Sequence, residues 1–327
     1  MKILIIRFSS IGDIVLTTPV IRCIKQQIPN AEIHYLTKEA YYQVISENPY
    51  IDHIHLFTTI NETASELEKI NFDLVIDLHK SIRSRIIRFR LRKPSASFDK
   101  LNFKKWLYVN FKKDVMPNIH IVDRYLEAAK ILNINNDQKG LDYFLPENDE
   151  EFSDLLPVTH EDGYVAFVIG GAHKTKCLTD EKIRTLCKKI EYPIILLGGK
   201  ENFELAEMIA RSDNDKIINY CGKTNLNQSA AIIKEAVAVI THDTGLMHIA
   251  AAFNKKIISI WGNTVPSFGM YPYMPQNHNN FTIVETKNIK CRPCSKIGYK
   301  KCPKGHFKCI ENIDNQEIVN KLMEYIS

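Results

Sequence analysis

Residues 2–13, KILIIRFSSIGD, place a short apolar run directly before a turn that contains glycine and aspartate. The run Lys2–Ile6 predicts a buried β-strand, and the apolar spacing of residues 14–28 predicts the helix that follows. Further strands are predicted at Glu32–Leu36 and Leu74–Leu78. Strands that alternate with helices in this way are typical of a parallel, doubly wound α/β sheet.

The alternation starts again in the second half of the chain. The predicted elements there are strands at Tyr164–Ile169, Ile194–Leu197, Val237–Thr241 and Ile257–Trp261 and helices at Thr179–Ile190 and Asn315–Ile326. Between the halves, residues 146–163 hold seven acidic residues and no lysine or arginine, with prolines and a glycine that interrupt regular structure. We therefore expect a linker here, a first domain of residues 1–158 and a second of residues 159–327.

Length and composition agree with a globular protein of two domains. The 327 residues are 45% hydrophobic and 25% charged, and domains of about 150 residues are common. The longest apolar runs, such as residues 257–261, are far shorter than the roughly 20 residues that span a membrane. Arg7 interrupts the apolar start, which argues against a signal peptide. We expect a cytoplasmic protein.

The turn Ser9–Asp13 lies where the first predicted strand ends. Open α/β sheets bind ligands at the carboxyl ends of their strands, and Gly12 permits a tight turn or the close approach of a ligand. Asp13 falls at the predicted helix start. It either caps that helix, which contributes about 1 kcal/mol, or offers its carboxylate to a ligand. The spacing leaves both roles open.

A second turn of this kind lies within residues 241–252, THDTGLMHIAAA. Asp243 or Thr244 can cap the helix, and the free N–H groups of its first turn form a site for an anion such as a diphosphate. Gly245 permits close approach. The alternative is a capped helix with His248 in the core.

A third turn, residues 170–176, has the sequence GGAHKTK. Gly170, Gly171 and two lysines suit phosphate oxygens. The stretch has neither the ending of a Walker loop nor the spacing of a dinucleotide fingerprint. The alternative is that Lys174 and Lys176 are solvated.

Together these turns resemble glycosyltransferase family 9, which includes the ADP-heptose:lipopolysaccharide heptosyltransferases. The segments that carry the resemblance are Arg7–Asp13 with Thr17-Thr18-Pro19, Leu197-Gly198-Gly199, Gly222-Lys223-Thr224 with Leu226, Asp243-Thr244-Gly245 with His248, and Trp261-Gly262-Asn263-Thr264. They span nearly the whole chain.

The resemblance implies a GT-B fold, an α/β architecture of two Rossmann-like domains with a cleft between them. It implies that the first domain binds the acceptor and the second the nucleotide-sugar donor. The implied reaction is inverting transfer of a heptose or related sugar from a nucleotide-diphosphate sugar, ADP-heptose by default, to a lipopolysaccharide core acceptor. It implies no required cofactor and no catalytic metal.

The resemblance also implies roles for single residues. Asp13 matches the family's proposed general base, and Lys176 matches a lysine at the donor phosphates. The implied donor-binding residues, with the glycines of the third turn, are Gly170, Gly171, Lys176, Asp243, Thr244, Gly245 and His248. In many members an aromatic residue and a proline follow the lysine. Here the sequence is Lys176-Cys177-Leu178-Thr179, so Lys174 remains an alternative.

A basic stretch, residues 80–113, holds twelve lysines or arginines and one acidic residue. It indicates a surface for an anionic lipid-linked saccharide acceptor and for the face of a membrane. A solvated helix face is the alternative, and no nucleic-acid-binding module is recognisable. The expected acceptor-binding residues are Ser10, Gly12, Asp13, Arg83, Arg85 and Arg88.

A cysteine-rich segment, residues 291–309, precedes the last predicted helix. Cys291, Cys294, Cys302 and Cys309 could form a tetrahedral zinc site, but only the first two have the tight spacing of a zinc ribbon. We expect free or redox-labile thiols, with structural zinc and disulfides as the alternatives.

Other functions fit the same pattern. The chain could be a GT-B transferase or an epimerase that acts on a different nucleotide sugar, or a non-enzymatic sugar-nucleotide-binding protein. Donor turnover that requires Asp13 would separate a transferase from a binding protein.

Overall fold

The computed structural model describes residues 1–150, 152 and 156–327. The chain forms two compact units, one of residues 1–100 and 119–144 and the other of residues 101–118 and 145–327. The predicted linker at residues 146–163 falls partly on residues 151 and 153–155, which lie outside the described part of the chain.

The first unit is built on a parallel sheet of five strands. The strands are β1 (Lys2–Ile6), β2 (Glu32–Thr37), β3 (His53–Leu56), β4 (Leu74–Asp77) and β5 (Ser95–Ser97), in the order β3-β2-β1-β4-β5. Residues 3–6 of the central strand are fully buried, as expected for a parallel sheet that is covered on both faces. Because β1 pairs with β2 on one side and with β4 on the other, the chain reverses its direction of winding at the carboxyl end of β1.

The helices of the first unit are α1 (Ile11–Val15), α2 (Thr18–Gln27), α3 (Ile60–Glu68), α4 (Ile82–Leu91) and α6 (Ile121–Ala129). The single helix predicted over residues 14–28 is wrong, since α1 and α2 are separate. Pro19 lies in the first turn of α2, where its missing N–H costs nothing, and a proline there favours a new helix start. The Thr17 hydroxyl donates to the Ile14 carbonyl at 2.7 Å, which satisfies an acceptor at the end of α1.

The second unit has a parallel sheet of six strands. They are β6 (Val165–Val168), β7 (Ile194–Leu197), β8 (Ile217–Asn219), β9 (Ala238–His242), β10 (Lys256–Trp261) and β11 (Phe281–Glu285), in the order β11-β10-β9-β6-β7-β8. Here the winding reverses between β6 and β9, which pair directly. The turns after these two strands are therefore neighbours at the place where doubly wound sheets bind their ligands.

The remaining helices belong to the second unit: α5 (Asn102–Phe111), α7 (Glu147–Glu150), α8 (Asp180–Lys189), α9 (Phe203–Ala210), α10 (Leu226–Glu235), α11 (Gly245–Ala252), α12 (Lys308–Glu311) and α13 (Asn315–Ile326). Helix α5 comes early in the chain, yet it packs with this unit. Tyr108 meets the ring of Phe268 edge-on at 6.0 Å, and Lys112 donates to the Pro293 carbonyl at 2.7 Å. Among the described residues, no helix has both the length and the apolar character needed to cross a membrane.

Candidate functional site

The turn after β1 holds Asp13 in a hydrogen-bonded arrangement. Its carboxylate accepts hydrogen bonds from the Ser10 hydroxyl at 2.8 Å and from the Ser10 backbone N–H at 3.3 Å. Ser10 is the N-cap of α1 and Asp13 is its third residue, so the carboxylate takes part in a capping box. The capping role considered from the sequence is therefore present.

The same carboxylate is ion-paired with Arg7, whose Nη2 lies 2.7 Å from Asp13 Oδ1. The guanidinium also donates to the Ser9 carbonyl at 2.7 Å, the Leu78 carbonyl at 2.5 Å and the Tyr125 hydroxyl at 2.9 Å. Burial opposes the charged form of Arg7, but the Asp13 carboxylate outweighs that effect and raises the pKa of Arg7 above its ordinary value. Arg7 thus holds Asp13 in one place.

Part of the Asp13 carboxylate can be reached from solvent. Its side chain is 25% exposed, and an ionised carboxylate offers about four lone-pair sites. A hydroxyl group that approaches the exposed part of the carboxylate could donate a hydrogen bond to it. The capping and base roles are therefore compatible.

Two further cationic or titratable side chains, His79 and Lys100, influence Arg7 and Asp13 electrostatically. The His79 ring lies 4.9 Å from the ring of Phe8. Burial, with the charges of Arg7 and Lys100, lowers the pKa of His79 to about 4, so it is neutral at pH 7. Burial and Arg7 also lower the pKa of Lys100. The cations that act here, Lys80 with Arg7 and Lys100, outnumber the carboxylates of Asp13 and Asp77, so these surroundings suit an anionic ligand.

The loop after β4 is organised by Asp77, which is fully buried. Its carboxylate accepts from the backbone N–H groups of His79 at 3.0 Å and Lys80 at 2.7 Å, and from the Ser84 hydroxyl at 2.9 Å. Arg88 Nη1 lies 3.8 Å from the same carboxylate. Asp77 therefore positions the loop that carries His79, and Arg88 neutralises it.

The three arginines predicted to bind an acceptor do not form one group. Arg83 lines a hollow of about 520 Å³ together with Lys38 and Phe57. Arg85 and Arg88 line a second hollow of about 440 Å³, which they share with Phe89, Arg92, Lys93 and Ser95. Arg83 and Arg85 are exposed, whereas Arg88 is half-buried against Asp77.

In the second unit, Lys176 and Asp243 lie together at the neighbouring ends of β6 and β9. Lys176 Nζ lies 2.6 Å from Asp243 Oδ2, and the Thr264 hydroxyl donates to the same oxygen at 3.1 Å. Lys174 is exposed. Of the two lysines considered from the sequence, Lys176 is the one that lies at the start of α11.

Helix α11 begins with Gly245, and Thr244 occupies its N-cap position. The Thr244 side chain does not cap the helix; its hydroxyl lies 3.3 Å from that of Thr241. Because Asp243 is directed to Lys176, the first-turn N–H groups take no cap from either residue. They are suitably placed to bind an anion. His248, in the first turn, is buried.

Packing explains the two glycines after β6. A Cβ atom on Gly171 would lie 2.7 Å from Cys177 Sγ, and one on Gly170 would lie 2.7 Å from Asn202 Oδ1 and 3.1 Å from Gly198 Cα. These approaches are too close for a side chain, so glycine is required here even without a ligand.

Sequence reasoning missed Arg292, which supports the turn that carries Asp243 in the second unit. Its guanidinium donates to the carbonyls of Gly262 at 2.7 Å and Thr264 at 2.8 Å and pairs with Glu285. Arg292 thereby holds Thr264, which in turn bonds Asp243. Sequence reasoning also missed the role of Arg7, although a single cation at the end of an apolar strand can be recognised in the sequence.

The cysteine-rich segment contains four thiols that are not joined by disulfides. Cys291 Sγ lies 3.6 Å from His306 Nε2, and the Cys294 thiol donates to the Cys291 carbonyl at 3.0 Å. Burial raises the pKa of Cys294 to about 12 and that of Cys309 to about 11, so both are protonated at pH 7. In the described part of the chain, the group of side chains gathered closely enough to share a metal ion lies elsewhere, at Glu32, His34 and His53.

Comparison with known proteins finds the same family for this chain in sequence and in structure. Residues 60–303 match the model described as glycosyltransferase family 9 (heptosyltransferase). Lipopolysaccharide heptosyltransferase 1 of Campylobacter coli is 28% identical over 99% of this chain and 98% of its own length. The family 9 glycosyl transferase of Veillonella parvula superposes with a TM-score of 0.79 at 23% identity, covering 99% of this chain and 96% of that one.

A second solved structure, the E. coli heptosyltransferase WaaC with ADP, has a TM-score of 0.71 at 21% identity. The match covers 99% of this chain and 100% of that one. These likenesses show that the two Rossmann-like units have the GT-B fold expected from the sequence.

Proposed function

The chain belongs to glycosyltransferase family 9, the heptosyltransferase family, and we propose that it transfers a heptose from ADP-heptose to a lipopolysaccharide core acceptor. It is a glycosyltransferase with two Rossmann-like units. The observation that carries the proposal for the donor is the contact between Lys176 and Asp243 at the uncapped start of α11. The relative that was solved with ADP supports adenosine as the nucleoside.

On the donor side, the diphosphate would lie at the first turn of α11. Lys176 would donate to a phosphate oxygen, and the backbone N–H groups of the turn would donate to others. When the bond between the sugar and the diphosphate breaks, negative charge grows on the leaving oxygen. Hydrogen-bond donors that are already oriented stabilise that charge without further rearrangement.

On the acceptor side, Asp13 would act as the general base. As the acceptor oxygen forms its bond to the anomeric carbon, the hydroxyl proton passes to Asp13 and the diphosphate leaves from the opposite face. The products are the glycosylated acceptor and ADP, with inverted configuration at the anomeric carbon. Arg7 and Ser10 would orient Asp13, and no step requires a metal ion.

A lipid-linked acceptor is anchored in a membrane, so the enzyme has to act at the membrane surface. Helix α5 has exposed aromatic and basic side chains that suit this surface. Phe103, Trp106 and Phe111 are 69%, 45% and 66% exposed, and the Trp106 ring lies 6.1 Å from that of Phe103 and 5.4 Å from that of Phe111. Lys104 and Lys113 are exposed beside them. Aromatic rings favour the headgroup region of a bilayer, and each nearby lysine contributes about 1 kcal/mol toward anionic lipid.

Vesicle sedimentation tests this contact. We expect the double variant Phe103→Ser/Trp106→Ser to lose most of its binding to vesicles of phosphatidylglycerol and phosphatidylethanolamine. The matched control is Met208→Ser/Met323→Ser, which removes two other half-exposed apolar side chains of the same unit. Equal binding of both variants would remove α5 from the proposal and leave the transfer reaction untouched.

Product analysis tests the reaction. Purified protein is incubated with a lipopolysaccharide core acceptor and ADP-heptose, or with UDP- or GDP-sugars, and the products are identified by mass spectrometry. We expect a mass gain of one heptose on the acceptor with ADP-heptose and not with Asp13→Asn. An isomerised nucleotide sugar without acceptor modification would indicate an epimerase. Binding of ADP-heptose without any product would indicate a non-enzymatic binding protein.

A further inference from the structure

Three histidines and a glutamate gather at the amino ends of two neighbouring strands of the first unit. Glu32 and His34 lie on β2, and His53 and His55 lie on β3. In the parallel register His34 pairs with His53 and Leu36 pairs with His55. We call these four side chains the histidine cluster. Asp13 follows the carboxyl end of β1, whereas the cluster lies at the amino ends of the strands. The proposed reaction therefore does not use the cluster.

The distances in the histidine cluster match those of a tetrahedral metal site. Glu32 Oε1 lies 3.1 Å from His34 Nε2 and 3.3 Å from His53 Nε2, and the three atoms all lie within 4.8 Å of one another. A zinc ion with ligands at about 2.0–2.1 Å places neighbouring ligand atoms roughly 3.3 Å apart in a tetrahedron. The His34 and His53 rings are stacked at 4.5 Å. One ion could contact all three atoms once the exposed His53 ring turns out of this stack, with water as the fourth ligand.

The ligand His34 also has a hydrogen-bond partner on the side of its ring that faces away from the ion. His34 Nδ1 lies 2.9 Å from His55 Nε2, and a metal-bound histidine commonly donates its other ring N–H to such a partner. The His34 ring is almost fully buried, stacked on His55 at 5.2 Å and met edge-on by Phe72 at 5.0 Å. Its orientation is therefore fixed before any ion arrives.

The protons of the cluster can adapt to an ion without being lost from the rings. In the ion-free form, His55 donates to His34 Nδ1, while His34 and His53 donate from Nε2 to Glu32. With an ion bound, the proton of His34 moves to Nδ1 and is donated to His55 Nε2. The proton of His55 then lies on its own Nδ1, and His53 carries its proton on Nδ1.

One positive charge opposes an ion at this place. Lys2 Nζ lies 3.6 Å from Glu32 Oε1, and its side chain is 44% exposed. A lysine at that distance in water contributes little, and its long chain can turn into solvent. Lys25, the next cation, is paired with Asp52.

We propose that Glu32, His34 and His53, supported by His55, bind a divalent transition-metal ion for which Zn²⁺ is the best match. Imidazole and carboxylate ligands in a tetrahedral arrangement suit Zn²⁺ better than Mg²⁺ or Ca²⁺, which prefer oxygen ligands in larger numbers. The ion would join the edge strand β3 to β2. It would stabilise the first unit and take no part in glycosyl transfer.

The test uses the full-length protein after removal of metal with a chelator. Zn²⁺ binding is measured by equilibrium dialysis, and Co²⁺ is added as a spectroscopic probe. The variant is His53→Asn, whose ring is exposed, and the matched control is His278→Asn, an exposed histidine of the second unit. The double variant Cys291→Ser/Cys294→Ser removes any contribution of the cysteine-rich segment.

We expect the cysteine variant and the control to keep one equivalent of Zn²⁺ that His53→Asn loses. The bound Co²⁺ should show visible bands of nitrogen and oxygen ligation without thiolate charge transfer. At a hundredfold excess over Kd, Zn²⁺ should raise the Tm of the first unit by at least about 5 °C, and His53→Asn should abolish the rise without lowering the Tm of the metal-free protein. Equal Zn²⁺ binding by His53→Asn and the control, or thiolate bands alone, would overturn the proposal.

Discussion

Each unit of this protein places one carboxylate and one cation in contact where parallel strands end, but the two pairs are built differently. In the first unit Arg7 lies 2.7 Å from Asp13 and is buried, with three more protein oxygens bound to its guanidinium. In the second unit Lys176 lies 2.6 Å from Asp243, and its further contact, to the Asp243 carbonyl, is long at 3.4 Å.

The difference assigns opposite roles to the two pairs. The guanidinium of Arg7 is occupied by the protein, so the Asp13 carboxylate is the part of the first pair that can react with a ligand. The ammonium of Lys176 has three donors and only one short bond, so here the cation can turn to a ligand. We propose that the same kind of ion pair supplies a base in the first unit and a phosphate-binding cation in the second.

The largest expected effect comes from Asp13→Asn, which keeps the shape of the side chain but replaces one accepting oxygen with an NH2 group and removes the proton acceptor. We expect the transfer rate to fall by about 10²-fold or more, the usual contribution of a general base, while ADP affinity stays unchanged. Turnover is measured by ADP release and affinity by calorimetry.

The matched control is Ser10→Ala, which removes a hydroxyl bonded to Asp13 and leaves the carboxylate. It should cost about 1 kcal/mol of stability, as other cap losses do, and much less activity. Near-normal turnover by Asp13→Asn would reduce Asp13 to its capping role and end the comparison of the two pairs.

The next effect is that of Lys176→Ala on the donor. A hydrogen bond to a charged group contributes about 1.5–3 kcal/mol, so we expect ADP affinity to fall by roughly tenfold to a hundredfold. Lys174→Ala is the control, since it removes an exposed lysine from the same turn, and it should change affinity little. If calorimetry shows the larger loss for Lys174→Ala, the donor phosphates lie on the other lysine.

Sequence patterns predicted the inner strands of both sheets but missed the four edge strands β3, β5, β8 and β11. The reason for the success is local. Lys2–Ile6, Ile194–Leu197 and the last helix, Asn315–Ile326, have the predicted bounds, because an apolar run or an apolar stripe between turn residues identifies each element by itself. The motif turns were predicted for the same reason, since each directly follows such a strand.

What the sequence left open depends on contacts between distant residues. Arg7 is fixed by Leu78 and by Tyr125, 118 positions away, and no spacing rule connects them. Helix α5 packs with the second unit through Phe268 and Pro293, although it precedes the last helix of the first unit. Such pairings become visible only when the sheets are assembled.

A smaller effect is expected on the acceptor side from the double charge reversal Arg83→Glu/Arg85→Glu. Arg88 is left unchanged, because it lies beside the buried carboxylate of Asp77. At about 1 kcal/mol per cation near an anionic surface, the acceptor KM should rise several-fold at low salt while the donor KM stays constant. The effect should fade at physiological ionic strength, where the Debye length is about 8 Å.

Lys188→Glu/Lys189→Glu is the matched control, with the same change of charge on exposed residues of α8 in the second unit. If both double variants raise the acceptor KM equally, net charge accounts for the change. If neither does so in low salt, the arginines of α4 form only a solvated face, and the anionic acceptor depends on Arg7 and Lys100 instead.

For the last change we expect no effect, since removal of divalent metal should leave the transfer rate unchanged. Metal-dependent transferases neutralise the leaving diphosphate with an ion held by acidic residues, whereas here Lys176 and the N–H groups of α11 supply that charge. The pair Asp213 and Asp215 precedes β8 instead of following a strand, and Asp213 bonds Lys216. Rates with EDTA and with added Mg²⁺ should agree within error.

Activity that EDTA abolishes and Mg²⁺ or Mn²⁺ restores would show that Asp243 holds an ion, and the second pair would then act through its carboxylate, like the first. A loss of Tm on chelation with an unchanged rate, present in Cys291→Ser/Cys294→Ser and absent in His53→Asn, would instead locate the metal in the histidine cluster, away from the reaction.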